Sequence, residues 1–247
     1  MISISNFKLI FFLSKQLQYN ISKLFLLYII SVPLLINAQN TVNGNLSSKV
    51  LKEVDGIVVI EAENTTSNLD KWEKMTSIED FTGTGYIVFG GNKPEKGPAT
   101  SPLKYQFKVQ KAGLYYLHIR AAKEIVVIRD VERKDVANDC YVRVEGDYDE
   151  GPNAGENKGD NAYLNILKND TKFFGGANQK FVWSSGARLD IKSAKVKAVY
   201  NFKANEIYTL VISGRSQLYK LDRIVFRKVD VPVDVAQSID LKEVYVD

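Results

Sequence analysis

Ile60-Glu61-Ala62-Glu63-Asn64 near the start of the chain and Leu221-Asp222-Arg223-Ile224-Val225-Phe226 near its end decide the reading. In extended backbone, residues two apart point to one face, so Glu61 and Glu63 share a side of a first strand and can meet Asp222 from a last one. Three acids gathered at one place ask for a cation. Between these ends, residues 55–228 read as a single β-rich domain. Its expected strands are 57–62, 85–89, 101–109, 113–122, 139–145, 195–202, 206–213 and 218–227; several alternate, and most are bounded by Gly, Pro, Asn or Asp. No window sustains a helical period. Many short strands separated by turns predict an all-β fold, a β-sandwich or jelly roll, long enough to bury an adequate core without disulfides.

Residues 1–38 are set apart from the fold. Lys8, Lys15 and Lys23 with no acid, an apolar run over 24–35 and then Ile36-Asn37-Ala38 look like a secretory signal peptide cut after Ala38. The apolar run is short for a bilayer span, and a membrane anchor is the competing reading. The chain carries 33 Lys and Arg against 29 Asp and Glu; without the leader the basic count falls to 30. The mature protein is then nearly neutral, and its global charge argues neither for nor against a polyanionic partner. Cys140 is the single cysteine, so no internal disulfide forms, and a buried inert thiol is expected. Residues 39–54 read as a flexible lead-in. The tail, 229–247, reads as a linker stub or an edge strand, because Pro232 argues against a central one. The polar stretch 146–161 fails the helix-loop-helix calcium pattern: Asp147 and Asp149 are followed by Gly151 where a ligand is due, and it reads as a solvated loop.

The catalytic inventory is thin. His118 is the only histidine and sits inside the apolar run Leu114-Tyr115-Tyr116-Leu117-His118-Ile119, where a hydrogen-bonded structural role is expected. Histidine triads and multi-histidine zinc sites are thereby excluded or strongly disfavoured. Two-carboxylate glycoside hydrolysis stays formally open, although no spacing singles out a pair. Aromatics beside turns stand out instead: Tyr86 after Thr82-Gly83-Thr84-Gly85, Trp183 after Gly175-Gly176, and Trp72 after the polar run 64–70. A flat ring can stack on the C–H face of a sugar while nearby polar groups bond its hydroxyls. The competing reading is that each ring caps the hydrophobic core.

The order Ile60-Glu61-Ala62-Glu63, Gly85-Tyr86-Ile87, Ala112-Gly113-Leu114-Tyr115, Ile119-Arg120-Ala121-Ala122, Gly175-Gly176 with Trp183, and Leu221-Asp222-Arg223-Ile224-Val225-Phe226 resembles the family 6 group of carbohydrate-binding modules. The resemblance spans nearly all of 55–227. It implies a galactose-binding-domain-like β-jelly roll, non-catalytic, with a structural calcium ion held by Glu61, Glu63 and Asp222, oxygen ligands suited to a hard cation. It also implies a sugar-stacking pair at a loop cleft, Tyr86 and Trp183. Where many members carry Asn before the final Leu-Asp, this chain has Lys220. An ammonium there, with Arg188 as a second cation, would favour a sulfated or uronate glycan, and Trp72 would help to set specificity; the alternative is that both cations are ordinary surface residues. The expectation is a secreted, monomeric polysaccharide-binding module. A jelly-roll lyase or hydrolase, and a cell-surface adhesion or assembly protein, are the other two classes.

Overall fold

The computed structural model of the chain describes residues 49–150, 166–184, 187–191 and 194–247. The leader expected at 1–38, most of the lead-in and the polar loop beyond residue 150 lie outside the described residues. The chain forms two large sheets, and strands are numbered in chain order. The first sheet runs β1 (Leu51–Lys52), β5 (Thr100–Lys108), β17 (Ile207–Gly214), β9 (Asp139–Glu145), β11 (Thr171–Phe174), β14 (Ala187–Ile191) and β15 (Ala194–Lys197). The second runs β10 (Asp149–Glu150), β16 (Val199–Phe202), β6 (Gly113–Lys123), β18 (Lys220–Lys228), β4 (Tyr86–Phe89) and β3 (Trp72–Met75). Beside β18 lies β2 (Ile57–Glu61), and β12 (Ala177–Asn178) and β13 (Val182–Ser184) pair with β6. A small hairpin, β7 (Val126–Ile128) with β8 (Val131–Arg133), stands apart. This is the expected β-sandwich of jelly-roll type.

Alternation explains which faces meet. Leu103, Tyr105 and Phe107 of β5 and Tyr208, Leu210 and Ile212 of β17 point inward, opposite Tyr115, Leu117 and Ile119 of β6 and Ile224 and Phe226 of β18. One aromatic cluster fills the centre: Phe202 lies 4.4 Å from Tyr208 and 5.5 Å from Phe107, centroid to centroid. Cys140 is buried in this core, and burial pushes its thiol well above the ordinary range, so the expected inert role holds.

The segment expected as 195–202 is in fact two strands in different sheets, β15 and β16, because the chain crosses from one layer to the other at Ala198. The tail is neither a free linker nor a full edge strand. After Pro232 comes a one-turn helix, Val233–Ala236, and residues 231–241 lie over the outer face of the second sheet, where Val231 and Leu241 pack on Ile57, Val59 and Val225. Proline suits the entry to a helical turn, where its missing N–H costs nothing. Further on, Tyr245 bridges Leu51, and Val246 donates to the carbonyl of Val50 at 2.8 Å. Among the described residues no helix is long and apolar enough to cross a membrane.

Candidate functional site

Glu61 ends β2, and Glu63 follows in a 3-10 turn, Ala62–Asn64. Asp222 lies in β18, where a register shift between Leu221 and Arg223 turns its side chain toward the same place. All three carboxylates are buried. The Thr82-Gly83-Thr84 loop closes over them. Thr82 donates its backbone N–H to Asp222 Oδ1 at 2.8 Å, and its hydroxyl lies 2.7 Å from Glu61 Oε2 and 3.2 Å from Asp222 Oδ2. Thr84 N–H donates to Glu63 Oε1 at 2.7 Å. Gly83 makes this approach possible: its φ is +64°, and a Cβ there would stand 2.3 Å from Glu63 Oε1.

Two arginines enter the same cluster. Arg223, completely buried, donates from Nε at 3.0 Å and also from Nη2 to Glu61 Oε1. Arg120 of β6 donates from Nη1 to Asp222 Oδ2 and from Nη2 to Asp80 Oδ2 at 2.9 Å. Desolvation raises the affinity of Asp222 and Glu63 for protons, and the neighbouring charge of Glu61 pushes both the same way.

The sequence-derived acids thus come together, yet their oxygens are already committed. Of the six oxygens on Glu61, Glu63 and Asp222, five accept hydrogen bonds, and only Glu63 Oε2 has no partner among the described residues. A calcium ion takes six to eight oxygen ligands. Among the described residues no set of three or more His, Cys, Asp or Glu is disposed to hold a metal. The donor set as it stands does not fit the calcium ion that the resemblance implies.

The proposed sugar cleft needs correction. Tyr86 is 1% exposed, Trp72 3% and Lys220 5%, so none offers a free face or charge to a ligand. Phe181 lies edge-on to the Tyr86 ring at 5.0 Å, and the Tyr86 hydroxyl sits 2.9 Å from that of Ser77. Trp72 packs on Phe89 and donates its indole N–H to the Ser101 carbonyl at 2.9 Å. Lys220 pairs with Glu124. Trp183 is half-buried on the outer face of the second sheet, in a different apolar cluster from Tyr86, so the two rings do not form one platform. Arg188 belongs to β14, and its side chain lies outside the described residues.

What the sequence reading missed lies on the other sheet. A groove of about 440 Å³ is lined by residues of β5, β17 and β9. Asn64, Thr65, Ser67, Gln106, Thr209 and Tyr245 of the tail are among the residues that line it. Gln106 and Thr209 are direct partners across β5 and β17, and Glu145 faces Thr209 from β9. The alternation of β5, with Lys104 and Gln106 opposite in facing to Tyr105 and Phe107, was the available signal. The contribution of Tyr245 was not legible, since the tail's path follows from contacts distant in sequence.

No family model matches this chain, and no curated protein matches it. Among solved structures, it is similar to a family 35 carbohydrate-binding module from Clostridium thermocellum, at 14% identity over 70% of this chain and 98% of that one, with a TM-score of 0.41. It is similar to the Podospora anserina GH26-CBM35 β-(1,4)-mannanase, at 18% identity over 73% of this chain and 29% of that one, TM-score 0.42. A third is the C-terminal family 6 module of a laminarinase from Zobellia galactanivorans, at 14% identity over 70% of this chain and 99% of that one, TM-score 0.37. The chain therefore spans under a third of the mannanase it resembles.

Proposed function

We propose that this chain is a secreted, non-catalytic polysaccharide-binding module, and that the saccharide lies in the groove along β5. The observation that carries the reading is the lining of that groove. Side chains of Asn64, Thr65, Ser67, Gln106 and Thr209, which carry amides and hydroxyls, line the groove together with Tyr245 and Lys104. Such a surface offers donors and acceptors to a run of sugar hydroxyls and one aromatic wall to a ring face. The sequence resemblance to family 6 modules points the same way.

The non-catalytic part of the reading rests on the acids. Within the groove, Glu243 is bonded to the side chains of Asn64 and Tyr245, and Glu145 to Arg143. Neither stands free beside a partner carboxylate, as a glycosidase pair must. With Lys220 already paired, the charge that favoured an anionic glycan is gone from that position, and the groove itself carries Lys49 and Lys104 against Glu145 and Glu243. A neutral or sparsely charged polysaccharide fits this balance. Secretion rests on the leader-like residues 1–38.

Affinity electrophoresis against a panel of neutral and anionic polysaccharides tests the reading, with reducing-sugar release measured on the same panel. Retardation by at least one neutral polysaccharide without sugar release is expected. No retardation by any, or release of reducing ends, would defeat it.

A further inference from the structure

Arg223 occupies a position that the glycan reading does not use. It directly follows Asp222 and is completely buried, in cross-strand register with Glu61 of β2 and, on the other side, with Arg120 of β6. Two of its nitrogens converge on one oxygen of Glu61, while Nη1 reaches the carbonyl oxygens of Ser238 at 3.2 Å and Ile239 at 3.4 Å in the tail. The tail holds the other side of the same strand end: Glu243 Oε1 accepts the backbone N–H of Glu61 at 2.7 Å, and its Oε2 accepts from Asn64 Nδ2 at 2.7 Å.

From this arrangement we infer that Arg223, held in place by the C-terminal strap, is the cation that clasps β2 to β18, and that the fold needs no divalent ion there. A guanidinium is always charged and spreads its five donors in a plane, so it can bond carboxylate and carbonyl oxygens at once, as the ligands around a metal would be gathered. Arg120 answers Asp222 in the same way. The remaining carboxylate, Glu63, takes the N–H and hydroxyl of Thr84 on one oxygen and keeps the other unpartnered. One open oxygen is far short of a calcium shell. The tail thereby becomes part of the domain: the carbonyls of Ser238 and Ile239 complete the coordination of the guanidinium, and without them it would be a buried charge with one partner.

The test is thermal melting of the purified protein in EDTA and in excess calcium chloride, with metal content measured by mass spectrometry after dialysis. An ion bound at a hundred times its dissociation constant raises the midpoint of a domain this size by about 5–10 °C. The expected result is coincident melting curves and no stoichiometric calcium. A calcium-dependent shift of that size, or one calcium per chain after dialysis, overturns the inference. Arg223→Met adds a second readout: with the guanidinium gone, the acids are left facing each other, and the variant is expected to melt lower and to gain a calcium-dependent shift. A folded Arg223→Met protein indifferent to calcium would argue against the guanidinium holding the cation's place. Should that variant not fold, Arg223→Lys, which keeps the charge but not the fork, is expected to melt lower than the wild type and still ignore calcium; a calcium response in it would likewise count against the inference.

Discussion

Arg223 and Glu61 face each other across the paired strands β18 and β2, and both are buried, so the two strands are joined by an ion pair with no solvent to screen it. Removing one member leaves the other charged and unpaired in a low-dielectric setting, which costs about 3–5 kcal/mol. Arg223→Met should lose stability on that scale in urea unfolding, and the double variant Glu61→Leu, Arg223→Met should recover part of it. Equal destabilisation in the single and double variants would show that the pair itself contributes nothing.

Tyr86 illustrates why a motif residue need not be a ligand residue. Its ring is enclosed by Phe181 and Phe81, and its hydroxyl reaches Ser77 and the backbone N–H of Ile78. Tyr86→Phe should cost about 1 kcal/mol from the lost hydroxyl bonds. Truncation to alanine should cost about 3–5 kcal/mol. Glycan retardation per folded molecule should be unchanged in both, as measured by affinity electrophoresis beside a urea titration. Loss of retardation in a fully folded Tyr86→Phe protein would restore the stacking role.

His118 predicts an acid-sensitive step. It is buried between Arg227, whose Nε lies 3.2 Å from Nε2, and Gln237 of the tail, 3.2 Å from Nδ1. Desolvation first, and the Arg227 charge second, push its pKa down to about 4 from the ordinary 6.5. The folded state therefore binds this proton less readily than the unfolded chain, so the associated stability is full above about pH 6.5 and drains away as the pH falls toward 4. Between pH 7 and 5 the loss is about 2 kcal/mol. Asp222 and Glu63, whose proton affinity is raised chiefly by desolvation, act in the opposite sense: the folded protein gains relative stability as they protonate. Comparing the wild type with His118→Gln isolates the histidine: the difference in unfolding free energy between the two should shrink by about 2 kcal/mol on acidification to pH 5. A pH-independent difference would place His118 outside this step.

The Gly83 turn sets the geometry of the acid cluster. With φ at +64° and the Glu63 carboxylate against its Cα, Gly83→Ala should be destabilising by at least about 1–2 kcal/mol from the left-handed backbone alone. Urea unfolding measures it, and a neutral substitution would show that the loop can move away from Glu63.

Much of this architecture was legible in the sequence. The alternation over 101–109, 113–122 and 206–213 and the fixed extent of 139–145 gave the central strands of both sheets, because each buries one face on the shared core. Short strands escaped notice. Trp72–Met75 carries exposed Glu73 and Lys74, and Val182–Ser184 is too brief to show a period. Strand periodicity led to the expectation that Glu61, Glu63 and Asp222 could meet, but the 3-10 turn at Ala62–Asn64 and the register shift at Asp222 are what bring them together. Their pairing with Arg120 and Arg223 was not expected, although an arginine within the apolar run Ile119-Arg120-Ala121-Ala122 signals a buried charge that needs a partner. The sugar cleft failed for a related reason. Whether an aromatic is a platform or a core residue depends on what covers it, and Phe181, distant in sequence from Tyr86, supplies the cover.

On the proposed reading, the saccharide lies against β5 rather than at Tyr86 and Trp183. The most direct measurement is affinity electrophoresis of Gln106→Ala with Thr209→Ala, beside Trp183→Ala, on the polysaccharide that retards the wild type most. The groove substitutions lie on the outward face of the sheet, so their stability cost should stay within about 0.5 kcal/mol each. The account predicts that the double variant loses at least about tenfold in affinity, equivalent to about 1.4 kcal/mol, while Trp183→Ala is retarded as the wild type is. Undiminished retardation of the double variant, with loss in Trp183→Ala, would contradict it.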